Sequence, residues 1–125
     1  MGTAPILKLE HADSRGEIYS ITLPDGRELM LHHSNPGALR GGHSHNVDEI
    51  VVLLSGKMRY TSKIASSADH IVELKAPFTR YNQADLVHMA EFLEDSWLVE
   101  YKLGTGAITH DYEPYRAKVR ASILR

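Results

Sequence analysis

Cysteine is absent from the 125 residues, which removes disulfide scaffolds, thiolate zinc sites and cysteine nucleophiles together. Any metal held by this chain must use nitrogen and oxygen donors. Aromatic residues are few, with one Trp and two Phe beside six Tyr, so aliphatic side chains must supply most of a core. Long apolar runs are also lacking: none approaches the roughly 18 residues of a membrane span, and residues 1–10 carry no basic segment leading into an apolar signal core. The expectation is a cytoplasmic protein with no membrane partner. Charge of one sign is not in excess, with 14 Lys and Arg against 16 Asp and Glu and a formal charge of -2. The cations are scattered, so the basic footprint of a nucleic-acid binder is missing.

What is present reads as one mainly β domain. With 42% apolar residues, the chain is long enough to bury a core of its own. Residues 17–23 and 27–33 alternate polar and apolar around Pro24-Asp25-Gly26, the pattern of a β-hairpin. Residues 34–42 are rich in turn formers and read as a loop delivering the chain to His43. The apolar stretch 49–54, closed by Ser55-Gly56, reads as a strand covered on both faces, with 57–62 as its hairpin partner. Short strands follow at 71–74, 86–93 and 96–103, while 77–85 reads as irregular. In 96–103 the more apolar face carries Trp97, Val99, Tyr101 and Leu103, which marks Trp97 as a core residue. Glu113 and Pro114 open a helix running through Ile123. The organisation is an N-terminal segment 1–16, a barrel 17–103 and a tail 104–125 with a short helix. Strands this short and this regularly punctuated favour an antiparallel sandwich or barrel.

Chemistry concentrates in one stretch. His43 and His45 stand two residues apart, so in an extended chain both rings point to one side, and Glu49 keeps that parity four residues later if Asn46-Val47-Asp48 does not shift the register. His88 opens another extended segment and is the best-placed further donor. Three imidazoles and one carboxylate form a borderline site that suits Fe, Mn, Co, Ni, Cu or Zn better than Ca or Mg. Four such ligands leave two open positions on a six-coordinate ion, at a net charge of +1 that favours an anionic ligand.

The segment GALRGGHSHNVDEIVVLLSG resembles the first cupin motif, G-x5-H-x-H-x3-E-x6-G, with Gly37, His43, His45, Glu49 and Gly56 at its fixed positions. The second cupin motif, G-x5-P-x-G-x2-H-x3-N, is retained only at His88; Pro77, Gln83, Asp85 and Phe92 occupy its other positions. Asp85 is a tolerable substitute for the turn glycine, because Asp visits left-handed backbone more readily than most residues. The resemblance implies an antiparallel double-stranded β-helix, a jelly-roll-like cupin barrel, holding one divalent transition-metal ion on His43, His45, Glu49 and His88, and a homodimer.

Other residues read less sharply. His32 and His33 lie on opposite faces of one strand, so at most one faces a cavity, and His11, His70 and His110 fall in turn or terminal segments. Arg40, Arg59, Tyr60, Glu100 and Tyr101 read first as surface charges or packing aromatics, and second as groups that bind a substrate anion or relay a proton. Two function classes fit. One is an enzyme acting on a small sugar or organic acid as a dioxygenase, isomerase or lyase; the other is a module that binds a small ligand at the same metal-centred pocket without turning it over.

Overall fold

The protein's computed structural model describes residues 4–123. Among these, the alternating stretches form β1 (Ile6–Asp13), β2 (Gly16–Thr22), β3 (Glu28–Ser34), β4 (Leu39–His45), β5 (Asp48–Ser55), β6 (Lys57–Lys63), β7 (His70–Lys75), β8 (Phe78–Asn82), β9 (Val87–Phe92), β10 (Ser96–Leu103), β11 (Thr109–Asp111) and α1 (Glu113–Ile123). One sheet has the order β1-β2-β3-β10-β5-β8 and the other β11-β4-β9-β6-β7. The recorded pairings are antiparallel, and the sheets face each other around a barrel interior. Inward alternation is regular: Val51 and Leu53 of β5, Met58 and Tyr60 of β6, and Ala90 and Phe92 of β9 meet in a single apolar cluster. That cluster fills one end of the barrel. The same inward rows continue into polar residues, Glu49 on β5 and His88 on β9, so the site is built on walls that packing already fixes.

The helix begins and ends where its sequence signals predict. Glu113 stands in its first turn and Arg120 in its last, each matching the nearby end of the helix dipole. It buries Tyr115 and Val119 against Met89, with Leu39, Val87 and Tyr112 around them. The helix backbone lies so close to β4 that a Cβ on Gly42 would stand 2.9 Å from Arg116 Cα.

Several expectations are corrected. Residues 34–42 are not all loop, because β4 starts at Leu39 and its pairing with β9 and β11 outweighs the poor strand propensity of two glycines. Residues 77–85 contain β8, which pairs with β5 along that sheet's edge; Pro77 precedes the strand rather than preventing it. β5 and β6 are not hairpin partners. Only Gly56 lies between them, too little for a two-residue hairpin turn, and the chain instead passes from one sheet to the other. Trp97 faces outward, where its ring lies against His33 at a centroid distance of 4.7 Å, while Ser96 and Leu98 point in. The outer face of β10 is merely half-buried, so its apolar character misleads. Residues 6–13 form β1 on the flank of β2, where alternation is weak and every residue but Asp13 is exposed.

Candidate metal centre

β4 carries His43 and His45 to the interior by an irregular route. In a regular strand Arg40 and His43 would point to opposite faces. The register against β9 shifts between Gly41 and His43, and Gly41 and Gly42 take φ of +92° and +84°, values that L side chains rarely adopt. The bulge re-phases the strand so that Arg40 and His43 line one cavity, with the His45 ring beside that of His43. His88 arrives from the neighbouring β9, directly across from His43. The turn before it keeps the left-handed residue that the motif requires, with Asp85 at φ +71° and its N–H donating to His45 O at 2.7 Å.

The four predicted residues come together. Ring centroids of His43, His45 and His88 lie 4.7 to 5.4 Å apart. Glu49, 1% exposed, places Oε2 at 3.5 Å from His45 Nε2 and Oε1 at 3.8 Å from His88 Nε2. Donors each 2.0–2.2 Å from a common ion stand about 3 to 4.3 Å apart, so the Glu49 separations fit a cation shared with His45 and His88, and His43 joins those two histidines in an overlapping group. A stronger indication is what lacks a partner: His45 Nε2, His88 Nε2 and both Glu49 oxygens are buried with no hydrogen bond, an arrangement that an ion would satisfy. Hydrogen bonds behind the rings aim them. His88 Nδ1–H donates to Leu86 O at 3.1 Å, leaving Nε2 a bare lone pair, and His45 Nδ1 lies 3.0 Å from Thr109 Oγ1.

Burial holds His43, His45 and His88 at about 4, below the ordinary imidazole value. All three are neutral at pH 7 and present lone pairs, the state in which histidine binds a metal. Burial, reinforced by the Glu100 carboxylate, pushes Glu49 up to about 9. Without an ion one of these facing carboxyl groups keeps its proton. A divalent cation removes that need.

Glu100 and His32 are the residues whose part the sequence obscures. Glu100 reads as a surface charge, yet its side chain is 16% exposed and its Oε1 takes His32 Nε2 at 2.7 Å. Its donor oxygen falls with those of His45, Glu49 and His88 in one group within 4.8 Å, overlapping the group formed by His43, His45 and His88. Only the inward parity of Leu98, Glu100 and Lys102 could have exposed it, and the more apolar opposite face of β10 conceals that signal. Arg40 and Tyr60 also reach the cavity. Arg59 instead pairs with Glu91 and Glu73 outside, Tyr101 stands at the rim of an outer pocket, and His33 pairs with Asp95 and Glu17.

The imidazoles belong to one sheet and the carboxylates to the other. Between them lies an inner cavity of about 60 Å³, lined among others by Arg40, His43, Tyr60, His88 and Glu100. An outer pocket of about 550 Å³, with Arg27, Met30, Glu100 and Lys102 in its wall, opens beside it. Among the described residues no helix is long and apolar enough to cross a membrane.

No family model matches the chain, and no curated protein matches it in sequence. Solved structures do. CapF, the capsular polysaccharide assembling protein from Staphylococcus aureus, is similar at 19% identity and a TM-score of 0.62, over 82% of this chain and 30% of that one. A tryptophan-to-phenylalanine variant of oxalate decarboxylase from Bacillus subtilis gives 22% identity and a TM-score of 0.68, over 86% of this chain and 30% of that one. A further Bacillus subtilis oxalate decarboxylase, described with Mn(II) centres, gives 20% and 0.64 over the same shares, 86% and 30%. The chain thus spans about three-tenths of the length of these proteins. Two antiparallel sheets closed by one short helix, with a His and Glu cluster between them, agree with these cupin neighbours, and the chain has the cupin fold.

Proposed function

We propose that this chain is a metal-dependent cupin enzyme that takes a small oxygen-rich anion, an organic acid, at a divalent transition-metal centre on His43, His45, Glu49 and His88. The observation that carries the substrate class is Arg40. Its Nε donates to Ser34 Oγ at 2.7 Å and its Nη2 to His33 O at 3.0 Å, while Nη1 is buried with no partner. Burial, reinforced by Arg15 nearby, lowers Arg40 to about 10, and it stays cationic at neutral pH. A buried guanidinium nitrogen without an acceptor, beside neutral imidazoles, is complementary to an anionic oxygen. The inner cavity of about 60 Å³ has room for about two waters, which suits the carboxylate end of a compact acid.

A bound divalent ion supplies Lewis acidity toward a substrate oxygen. The chain's own groups do the rest. Arg40 binds and orients the carboxylate. Tyr60, held well above the ordinary phenol value by burial, stays protonated; its oxygen accepts the Asn82 Nδ2–H at 2.8 Å and its own O–H is available to a substrate oxygen. Arg80 covers one part of the Tyr60 ring at 4.7 Å, and Val51, Phe92 and Leu98 exclude water from the inner wall. Dioxygenation, isomerisation and lyase chemistry can each start from a substrate held in this way. The oxalate decarboxylase neighbours support a small carboxylate. The outer pocket, with Arg27, Lys102 and Thr105 in its wall, supports a second reading in which a sugar body rests there and its acidic end reaches Arg40; the CapF likeness favours that reading.

Elemental analysis of untagged protein purified without added metal tests the centre. Close to one equivalent of a divalent transition metal is expected in wild type and is lost in His43→Ala and His88→Ala. Titration with oxalate tests the anion site: Arg40→Met, shown to be folded by circular dichroism, should keep the ion and bind oxalate at least about tenfold more weakly. Full metal content in both histidine variants, or undiminished oxalate binding in Arg40→Met, would overturn the assignment.

A further inference from the structure

Glu49 is not alone in facing the three imidazoles. On β10 the residues Leu98 and Glu100 line the inner cavity, and Glu100 and Lys102 line the outer pocket. Glu100 is the one residue that the linings of the two cavities share. One of its oxygens is fixed by His32 Nε2 at 2.7 Å from the adjacent strand, diagonal to it in the β3–β10 register. That leaves the other oxygen for a further partner. The donor atoms of His45, Glu49, His88 and Glu100 lie within 4.8 Å of one another, and His45 Nε2, His88 Nε2 and both Glu49 oxygens are buried without a partner there. Two carboxyl groups facing each other in a barrel interior either share a proton or take a cation between them. Lys102 Nζ, 3.9 Å from Glu49 Oε2, lies at the limit of an ion pair.

Resting on the metal-centre reading above, we infer that Glu100 is a fifth donor to the ion, with His32 as the positioning residue that holds its carboxylate. The shell then comprises three imidazoles and two carboxylates. The centre is neutral with a divalent ion, and one position of six stays open in place of two. A ligand that binds through two oxygens must displace Glu100, the residue that stands between the outer pocket and the inner cavity. The second carboxylate also shifts the donor set toward harder ions such as Mn(II) and Fe(II) and away from Cu(II).

The test counts waters on the ion. Protein loaded with Mn(II) is examined by water-proton relaxation, and Zn(II) affinity is measured by competition with a chromophoric chelator. Wild type should hold one exchangeable water, and Glu100→Gln two. Zn(II) affinity should fall about 10- to 100-fold in Glu100→Gln and by a smaller factor in His32→Gln. Two waters in wild type, with wild-type Zn(II) affinity in Glu100→Gln, would remove Glu100 from the shell and leave the four-donor centre standing. Failure of wild type to bind either ion would remove both. Far-UV circular dichroism of metal-free Glu100→Gln that matches metal-free wild type separates ligand loss from misfolding.

Discussion

Gly37 and Gly56 bracket the histidine motif with similar backbone, at φ of +86° and +92°, yet their surroundings differ. A Cβ on Gly37 meets nothing within 4 Å, whereas one on Gly56 would fall 2.0 Å from Ser96 Oγ and 2.6 Å from Asp95 O. Gly37→Ala should therefore cost only the left-handed backbone penalty of about 1 kcal/mol. Gly56→Ala must also push the β9–β10 turn away and should lose upwards of about 3 kcal/mol. Chemical denaturation of the two variants checks the order; equal losses would mean that the corner at Gly56 yields. At this scale His43 and His45 were legible because i and i+2 share a face of one strand, whereas Glu49 stands on β5 in the opposite sheet and was legible through the spacing of the motif. Glu100 was not legible in the same way. Its partner residues come from β3, β4, β5 and β9, and no local pattern records who sits across a barrel.

Elements show the same division between local and non-local information. The first hairpin and α1 have signals within their own residues, turn chemistry in one case and an acidic start with Pro114 in the other, and both stand where those signals put them. β4, β8 and the β5-to-β6 corner are set by pairing with distant strands, so glycine and proline content misdirects a local reading. The helix has a part in holding the site. It packs on β4 through Gly42, and Arg116 Nη1 donates to Gly41 O at 3.0 Å, next to the bulge that presents the histidines. Val119, fully buried, anchors it. Val119→Ala should lower stability by about 2 kcal/mol and speed amide hydrogen exchange in β4 more than in β5. Uniform exchange across both strands would mean that the helix does not brace the bulge.

For the whole molecule, the histidines oppose one another in their response to pH. His43, His45 and His88 have folded values of about 4 against about 6.5 when unfolded. Between those values the unfolded chain binds protons that the folded chain refuses. Metal-free protein should therefore lose the histidines' contribution as pH falls from 6.5 toward 4, with a limiting slope of about 1.4 kcal/mol per pH unit for each histidine. Glu49 offsets this in part, since its raised value of about 9 acts in the opposite direction and adds to the loss on the alkaline side. His33 also runs against the three histidines. Its bond to Asp95, and then that to Glu17, raise its value, so its contribution is complete below about pH 6.5 and is lost as pH rises through the raised value. Urea midpoints from pH 4 to 9 check both signs: the acid limb should be steep in wild type, and His33→Asn should flatten only the alkaline limb. A bound ion should suppress the acid limb until the pH at which protons displace it.

The division of donors between the two sheets also governs time. His43, His45 and His88 belong to the sheet that contains β4 and β9, and Glu49 and Glu100 to the sheet that contains β5 and β10. An ion held by both groups is a rivet through the barrel, and it can leave only when the walls part or its ligands let go one by one. Its residence time is then set by the breathing of the barrel rather than by the strength of any one bond. Exchange against a labelled ion should be slow at neutral pH and should accelerate in step with the amide exchange of β4 and β5.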